Sequence, residues 1–428
     1  MSREMHLGVF VLGTGNQIDG WRAEGADPTN FDIKALARIA TTAERAKMDF
    51  IFVPDNVSAE VDDHPSMVAR LEPVAQLSAL AMVTSRIGLV GTASTMFSQP
   101  YNLARAFQSL DLISAGRAGW NVVTTSSPIA GLNFGTEGRL EHDLRYEMAD
   151  EFVEVVRGLW NTWEDGAVLV DRASGRYFDP ARIRLLNHKG KYYSVRGPLN
   201  APRGPQGNPV LVQAGSSPAG MGFAARHADL IVTVQHAIAE GRDFYDKVRR
   251  MAASHGRDPN HCKILNGIFT VVGRTDEEAH AKLARLAAFV DVQSSIRTVS
   301  DRLGHDLSQY PLDGPVPDLP MTDGMQGFAR ALIPLARREN YTLRQLFNLM
   351  AVGRGYIIAV GTPDKIADIM QEWVDARAAD GFVIMPAYFP DYLDDFADLV
   401  APELQRRGAL RKDYSGVTLR DHLGLSRA

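Results

Sequence analysis

The sequence predicts an α/β fold, a closed (β/α)8 TIM barrel, with a doubly wound sheet as the alternative. Three observations carry this. Eight short apolar runs, bounded by Gly, Pro, Asn or Asp, recur along the 428 residues. Amphipathic stretches at helical spacing lie between them. The runs are near-continuously apolar, as parallel strands are when both sheet faces are buried. Eight alternating strand–helix units point to a parallel sheet, and eight is the number that closes a barrel.

The first run is "HLGVFVLG" (6–13), followed by a helical pattern in "NFDIKALARIATTAERAKM" (30–48). "FIFVPD" (50–55) precedes "PVAQLSALAMVTS" (73–85), and "IGLVGTAS" (87–94) precedes "PYNLARAFQSLDLIS" (100–114). "AGWNVVTT" (118–125) is followed by "HDLRYEMADEFVEVVRGLW" (142–160), whose stripe Phe152, Val155, Val156, Leu159 has core-facing spacing. A first insertion, about 163–208, is rich in Gly, Arg and Pro, with a hairpin expected at "HKGKYYSV" (188–195). Three more runs follow: "PVLVQAG" (209–215), "ADLIVTVQ" (228–235) and "KILNGIFTVVG" (263–273). A second insertion, 274–380, is read as several helices and the Pro-rich loop 310–324, a lid or subunit contact. Its last helix should start at Thr362-Pro363, with Thr362 as N-cap. "GFVIMPAY" (381–388) is the eighth run, and 404–428 is a C-terminal extension of one domain spanning 1–428.

Composition bounds the function. Hydrophobic residues make up 45% and charged residues 23%, as in a soluble globular protein. The net charge of −5 favours neither nucleic acid nor an anionic membrane. No run of about 18 apolar residues occurs. The single cysteine, Cys262, excludes an intrachain disulfide and fits a reducing compartment, so a cytoplasmic protein is expected. His261 beside it does not make a zinc site.

Barrel active sites lie at the C-terminal strand ends. Those ends carry Asn16 and Gln17, then Asp55 and Asn56, then Thr92, Ser94 and Thr95, then Asn121, Thr124, Thr125 and Ser126, then Gly215, Ser216 and Ser217. This crown has one acid, Asp55, and no Lys, Cys or carboxylate pair. It looks like a cofactor cradle more than a hydrolytic site. "VLGTGNQIDG" (11–20) lacks the third glycine and the helix of a dinucleotide fingerprint. In "QAGSSPAG" (213–220) a strand ends and a helix begins, so Ser217 is either an N-cap or a phosphate ligand. His142 and Tyr146, one helical turn apart, are either surface residues or an anion grip, with Arg139 and Arg145 near. Metal partners are lacking: Glu141 and Asp143 should point off the His142 face, and no HExxH occurs. His64, in the loop 56–67, is expected to face solvent.

Together "FVPD", "GLVGTASTMFSQPYNLARAFQSLDLISAGRAGWNVVTTS", "HDLRYEMADEFVEVVRGLW", "PVLVQAGSSPAGMGFAARHAD" and "VGTPDKIADIMQEWVDARAADGFVI" resemble, in this order, the bacterial luciferase-like flavin-dependent monooxygenases. The resemblance spans about residues 5–415 and is strongest to the nitrilotriacetate, dibenzothiophene-sulfone and long-chain alkane monooxygenase branch. It implies a two-component enzyme. A separate NAD(P)H:flavin reductase supplies reduced FMN, and one oxygen atom of O2 goes into a small organic substrate, by C–N or C–S cleavage or by S or N oxidation. It also implies a homodimer or homotetramer. Position by position, it puts Asp55, Thr92 and Asn121 beside the flavin ring, and His142, Tyr146, Ser216 and Ser217 at its ribityl-phosphate end. One departure stands out: Asn16 and Gln17 occupy the stretch where much of the branch has histidine, on the substrate side. Neither is an acid or base at neutral pH. A deazaflavin-dependent oxidoreductase of the same superfamily and a non-catalytic flavin-binding barrel are the competing readings.

Overall fold

The computed structural model describes residues 3–428 except 62, 126, 137–139, 216, 292–295, 298, 301–302 and 320–325, and the side chains of 326–331. Eight parallel strands close a ring. The main sheet holds these eight and one more; in chain order its strands are β1 (His6–Phe10), β2 (Phe50–Val53), β3 (Gly88–Ser94), β4 (Ala118–Val123), β5 (Val210–Ala214), β6 (Leu230–Thr233), β7 (Lys263–Val272), β8 (Ile357–Gly361) and β9 (Gly381–Ile384). β1 to β7 pair in succession and β9 closes the ring between β7 and β1. The eight apolar runs are the eight strands of that ring, and the fold is the expected barrel.

β8 corrects the reading of 274–380 as helices and loop. β7 is ten residues long. Its first half pairs with β6 and β9, and its second half overhangs the ring and pairs with β8, from Ile268↔Ile357 to Val272↔Gly361. Its sequence, IIAVG, is as apolar as a ring strand's; what sets it apart is that it is short, only partly buried and paired on the overhang outside the closed ring, which the local pattern does not show.

The main helices are α1 (Ile33–Arg45), α2 (Pro73–Ala81), α3 (Pro100–Ile113), α4 (His142–Trp160), α5 (Pro218–His227), α6 (Ile238–Ser254), α7 (Asp276–Ala288), α8 (Gln326–Arg338), α9 (Leu343–Gly353) and α10 (Pro363–Asp375). Proline opens α2, α3, α5 and α10, where its fixed φ suits the helix and its missing N–H costs nothing. Thr362 holds the N-cap position of α10 but makes no side-chain cap bond, contrary to expectation; Pro363 alone marks this start. In the first insertion, His188–Lys189 pairs with Ser194–Val195 in the expected hairpin. The stretch 310–319 of the Pro-rich loop is described, and Pro315 bridges to Thr342 ahead of α9.

Two cores result. Leu7, Ile51, Leu89 and Trp120 pack outward against the helices, where the α4 stripe is fully buried. Trp120 lies among Phe107, Phe152 and Trp160, with ring centroids 5.9–6.4 Å apart. Phe50, Val90, Val212, Val232, Leu265 and Phe269 fill the barrel interior. The C-terminal extension stoppers the N-terminal end of the ring. Leu419, Leu423 and Leu425 join the interior cluster, and a Cβ on Gly88 would lie 2.4 Å from Leu419. Among the described residues no helix is long and apolar enough to cross a membrane.

Candidate functional site

At the opposite, C-terminal end, two groups of predicted residues come together. The first gathers where α4 meets α5. The helical turn from His142 to Tyr146 sets their ring centroids 5.0 Å apart. Ser217 caps α5, its Oγ accepting the Gly220 N–H at 3.1 Å. A Cβ on Gly220 would lie 3.0 Å from Ser217 Oγ and 3.1 Å from the Tyr146 hydroxyl. Glycine at 220 is thus what lets the two hydroxyls approach each other. Burial pushes the Tyr146 pKa up, against the opposing hydrogen bond with Ser217, so the phenol keeps its proton and is a donor. The N-cap and anion readings of Ser217 are compatible, because a hydroxyl can accept from Gly220 and donate elsewhere. Ser216 and Arg139 lie outside the described residues. Arg145 is buried, with Nη1 donating to the Thr124 carbonyl at 3.3 Å. Asp143 does not point away from His142; its Oδ1 is 2.9 Å from the imidazole Nδ1, folded back across one residue.

The second group lines the ends of β2 to β4. Thr92 and Asn121 are register partners on β3 and β4. Asn121 Nδ2 donates to Thr92 Oγ1 at 2.9 Å, while Asn121 Oδ1 is buried with no partner. An orphaned buried acceptor is costly unless something meets it. Asp55 follows β2 and lies 3.6 Å from Arg70. Burial pushes the Asp55 carboxyl pKa up, and Arg70 opposes that only in part.

Asn16 and Gln17 are fully buried. Asn16 Nδ2 donates to the Pro386 carbonyl at 3.0 Å, and Gln17 Oε1 accepts the Asp19 N–H at 2.6 Å. Together with the bonds from the Asn16 and Gln17 amides to Pro386 and Ala387, this ties the β1 loop to the loop after β9. Their side chains hold loops in place, and of the two side-chain amides only Asn16 Oδ1 is buried without a partner. His64 does not face solvent. It is 2% exposed and its Nδ1 accepts the Ser66 N–H at 3.1 Å, because the loop folds back and Ser66 binds Thr14 at 2.6 Å.

Sequence reading missed four polar residues of this end. Gln213 places Nε2 3.5 Å from the Gly220 Cβ position. His236, after β6, has a buried Nε2 without a partner, and burial pushes its pKa down to about 4. Arg70 and Arg354 lie on connections outside the strand ends. A polar residue two or three positions beyond a strand was a usable signal for His236. Nothing in the local pattern marks the two arginines.

A parallel barrel with a polar, acid-poor mouth and hydroxyls gathered at a helix start defines an enzyme of the cofactor-binding barrel class. Residues 5–380 match the family model described as luciferase-like monooxygenase, and the chain belongs to that family. It is 45% identical to N-acetyl-S-(2-succino)cysteine monooxygenase of Bacillus subtilis (strain 168), over 99% of this chain and 97% of that protein. It is 46% identical to nitrilotriacetate monooxygenase component A of Aminobacter aminovorans, over 100% of this chain and 97% of that protein. A crystal structure of riboflavin lyase with modified FMN and riboflavin superposes with a TM-score of 0.89 at 32% identity, covering 99% of this chain and 97% of that one. The chain is accordingly a flavin-dependent monooxygenase.

Proposed function

We propose that this chain is the oxygenase half of a two-component system. It takes reduced FMN from a separate NAD(P)H:flavin reductase, and uses O2 to put one oxygen atom on a small organic substrate at a C–N or C–S bond. The observation that carries the cofactor reading is the meeting of the Tyr146 and Ser217 hydroxyls over Gly220, one helical turn from His142. These donors suit the phosphate, and the α5 N-terminus adds its dipole. Asn121, with its orphaned Oδ1, and Thr92 suit the polar edge of the ring, with Asp55 beside it. Bound reduced FMN supplies the electrons that activate O2. The protein's own part is to anchor the phosphate, fix the ring edge and keep water from the reacting face. The relatives named for nitrilotriacetate and for N-acetyl-S-(2-succino)cysteine support cleavage beside nitrogen or sulfur here. The name "component A" supports a separate partner.

The test is the double variant Tyr146→Phe with Ser217→Ala. Charge-assisted hydrogen bonds are worth about 1.5–3 kcal/mol each, so reduced FMN should bind at least tenfold more weakly. Anaerobic titration measures this, with the melting temperature as a control for folding. Unchanged affinity overturns the phosphate assignment. Product formation with FMN, NADH, a flavin reductase and O2 across amines and thioethers tests the reaction.

A further inference from the structure

Arg70 is the anomaly of this end of the barrel. Its side chain is 8% exposed, and Nε, Nη1 and Nη2 all lack a hydrogen-bond partner. The nearest carboxylate, Asp55, is 3.6 Å away, beyond hydrogen-bond length. The acids around it also carry bonds of their own, and Asp55 answers its charge only from a distance. Asp63 accepts the His64 N–H at 2.6 Å, Glu72 accepts the Ala75 N–H at 2.7 Å, and Asp55 accepts from the Asn56 backbone.

A second arginine, Arg354, stands on the turn between α9 and β8. Arg354 caps the C-terminus of α9 with φ 53°, and its charge is felt by Arg70 as repulsion. Tyr356, two residues on, locates this turn. Leu265 and Phe269 face the barrel interior, so Gly267 between them faces it too. The Tyr356 ring fills the space of the missing Gly267 side chain, 2.1 Å from where a Cβ would be. The α9–β8 turn is therefore folded over the barrel's open end. Arg70, buried with every donor unused, thus lies within electrostatic reach of the arginine on that turn. Such an arrangement is unfavourable alone and is relieved by an anion that takes the fork bidentately.

We infer that Arg70 and Arg354 form a substrate subsite for a carboxylate, so that this oxygenase acts on carboxylate-bearing molecules. The inference rests on the flavin reading, since Asp55, the acid assigned beside the ring, is what places Arg70 near the reacting face. The phosphate end, at Ser217 and Tyr146, is a separate anion site served by different residues.

The experiment is calorimetric titration of the whole enzyme, with and without FMN, using succinate, citrate and iminodiacetate. Their neutral esters, ethanesulfonate and inorganic phosphate serve as comparison ligands. The expected result is binding of at least one carboxylate, no binding of its ester, and weakening by about tenfold or more in Arg70→Gln and in Arg354→Gln. Arg70→Lys should recover part of the loss, because it restores charge without the fork. FMN affinity should be unchanged in Arg70→Gln while it falls in the Tyr146 and Ser217 variants, which separates failure of this inference from failure of the cofactor reading. Four results overturn it: no carboxylate binding, esters binding as well as acids, phosphate or sulfonate preferred over every carboxylate, or Arg70→Gln weakening FMN and not the carboxylate.

Discussion

Two buried arginines at opposite ends of the barrel, Arg117 and Arg70, are treated in opposite ways. At the N-terminal end Arg117 donates five side-chain hydrogen bonds, to the carbonyls of Ser114, Ile87, Ala81 and Thr84 and to the Thr84 hydroxyl, at 2.7–3.1 Å. Arg420, brought in by the C-terminal extension, binds Asp229 at 2.8 Å and the Asn208 carbonyl at 3.1 Å. Arg411 from the same segment binds buried Asp49 at 2.7 Å. At the C-terminal end Arg70 makes no hydrogen bond and has only the Asp55 charge, at 3.6 Å, beside it. Desolvating a guanidinium costs several kcal/mol unless its donors are met. The closed end meets them within the chain and contributes stability. The open end leaves them unmet, at a cost that a bound ligand removes. Parallel barrels divide stability and chemistry between their two ends in this way.

The sharpest way to break that contrast is at the closed end. Arg420→Ala leaves the buried Asp229 carboxylate with the Leu211 N–H, at 3.0 Å, and a more distant charge on Arg257, at 3.9 Å, and loosens the stopper. Removing one partner of a buried pair typically costs about 3–5 kcal/mol, so urea denaturation should show a loss of that size. A loss below about 1 kcal/mol would mean the extension does not hold that end.

Next in size is His236 at the open end. Its pKa lies near 4 against an ordinary 6.5, because burial disfavours the imidazolium. The folded state therefore resists a proton that the unfolded chain accepts. Stability from this group is full above pH 6.5 and is lost as pH falls toward 4, by on the order of 2 kcal/mol. Unfolding followed from pH 7 to pH 4 should show a shallower slope in His236→Gln. An identical slope would place the imidazole in water.

The smallest expected effect is on Arg70 itself. Arg70→Gln removes no hydrogen bond; it loses the attraction to Asp55 at 3.6 Å and gains relief from Arg354 and from the desolvated charge, and these opposing effects should leave the unfolding free energy within about 1 kcal/mol, in either direction. A loss above about 2 kcal/mol would show that Arg70 is already satisfied, and the contrast between the ends would fail.

Legibility in the sequence followed the range of the interaction. The eight ring strands were readable because burial on both faces makes each a continuous apolar run. The buried α4 stripe and the proline helix starts are set by neighbours within one or two turns. His142 and Tyr146 could be paired from their spacing but not linked by spacing to Ser217, about seventy residues on, whose hydroxyl Tyr146 meets only because α4 and α5 pack together. β8 and the burial of His64 were misread for the same reason: each depends on a distant partner, the β7 overhang in one case and Thr14 in the other.

The sequence by itself determined the barrel, the position of its mouth and the residue types available there, because strand periodicity, helix capping and proline geometry act over a few residues. Only the tertiary structure decided which of those residues face one another. It turned Asn16 and Gln17 into loop ties, brought two hydroxyls together over Gly220, and left Arg70 buried beside Asp55 without a hydrogen bond. Satisfaction of a buried polar atom depends on everything that packs around it, and no local pattern records that.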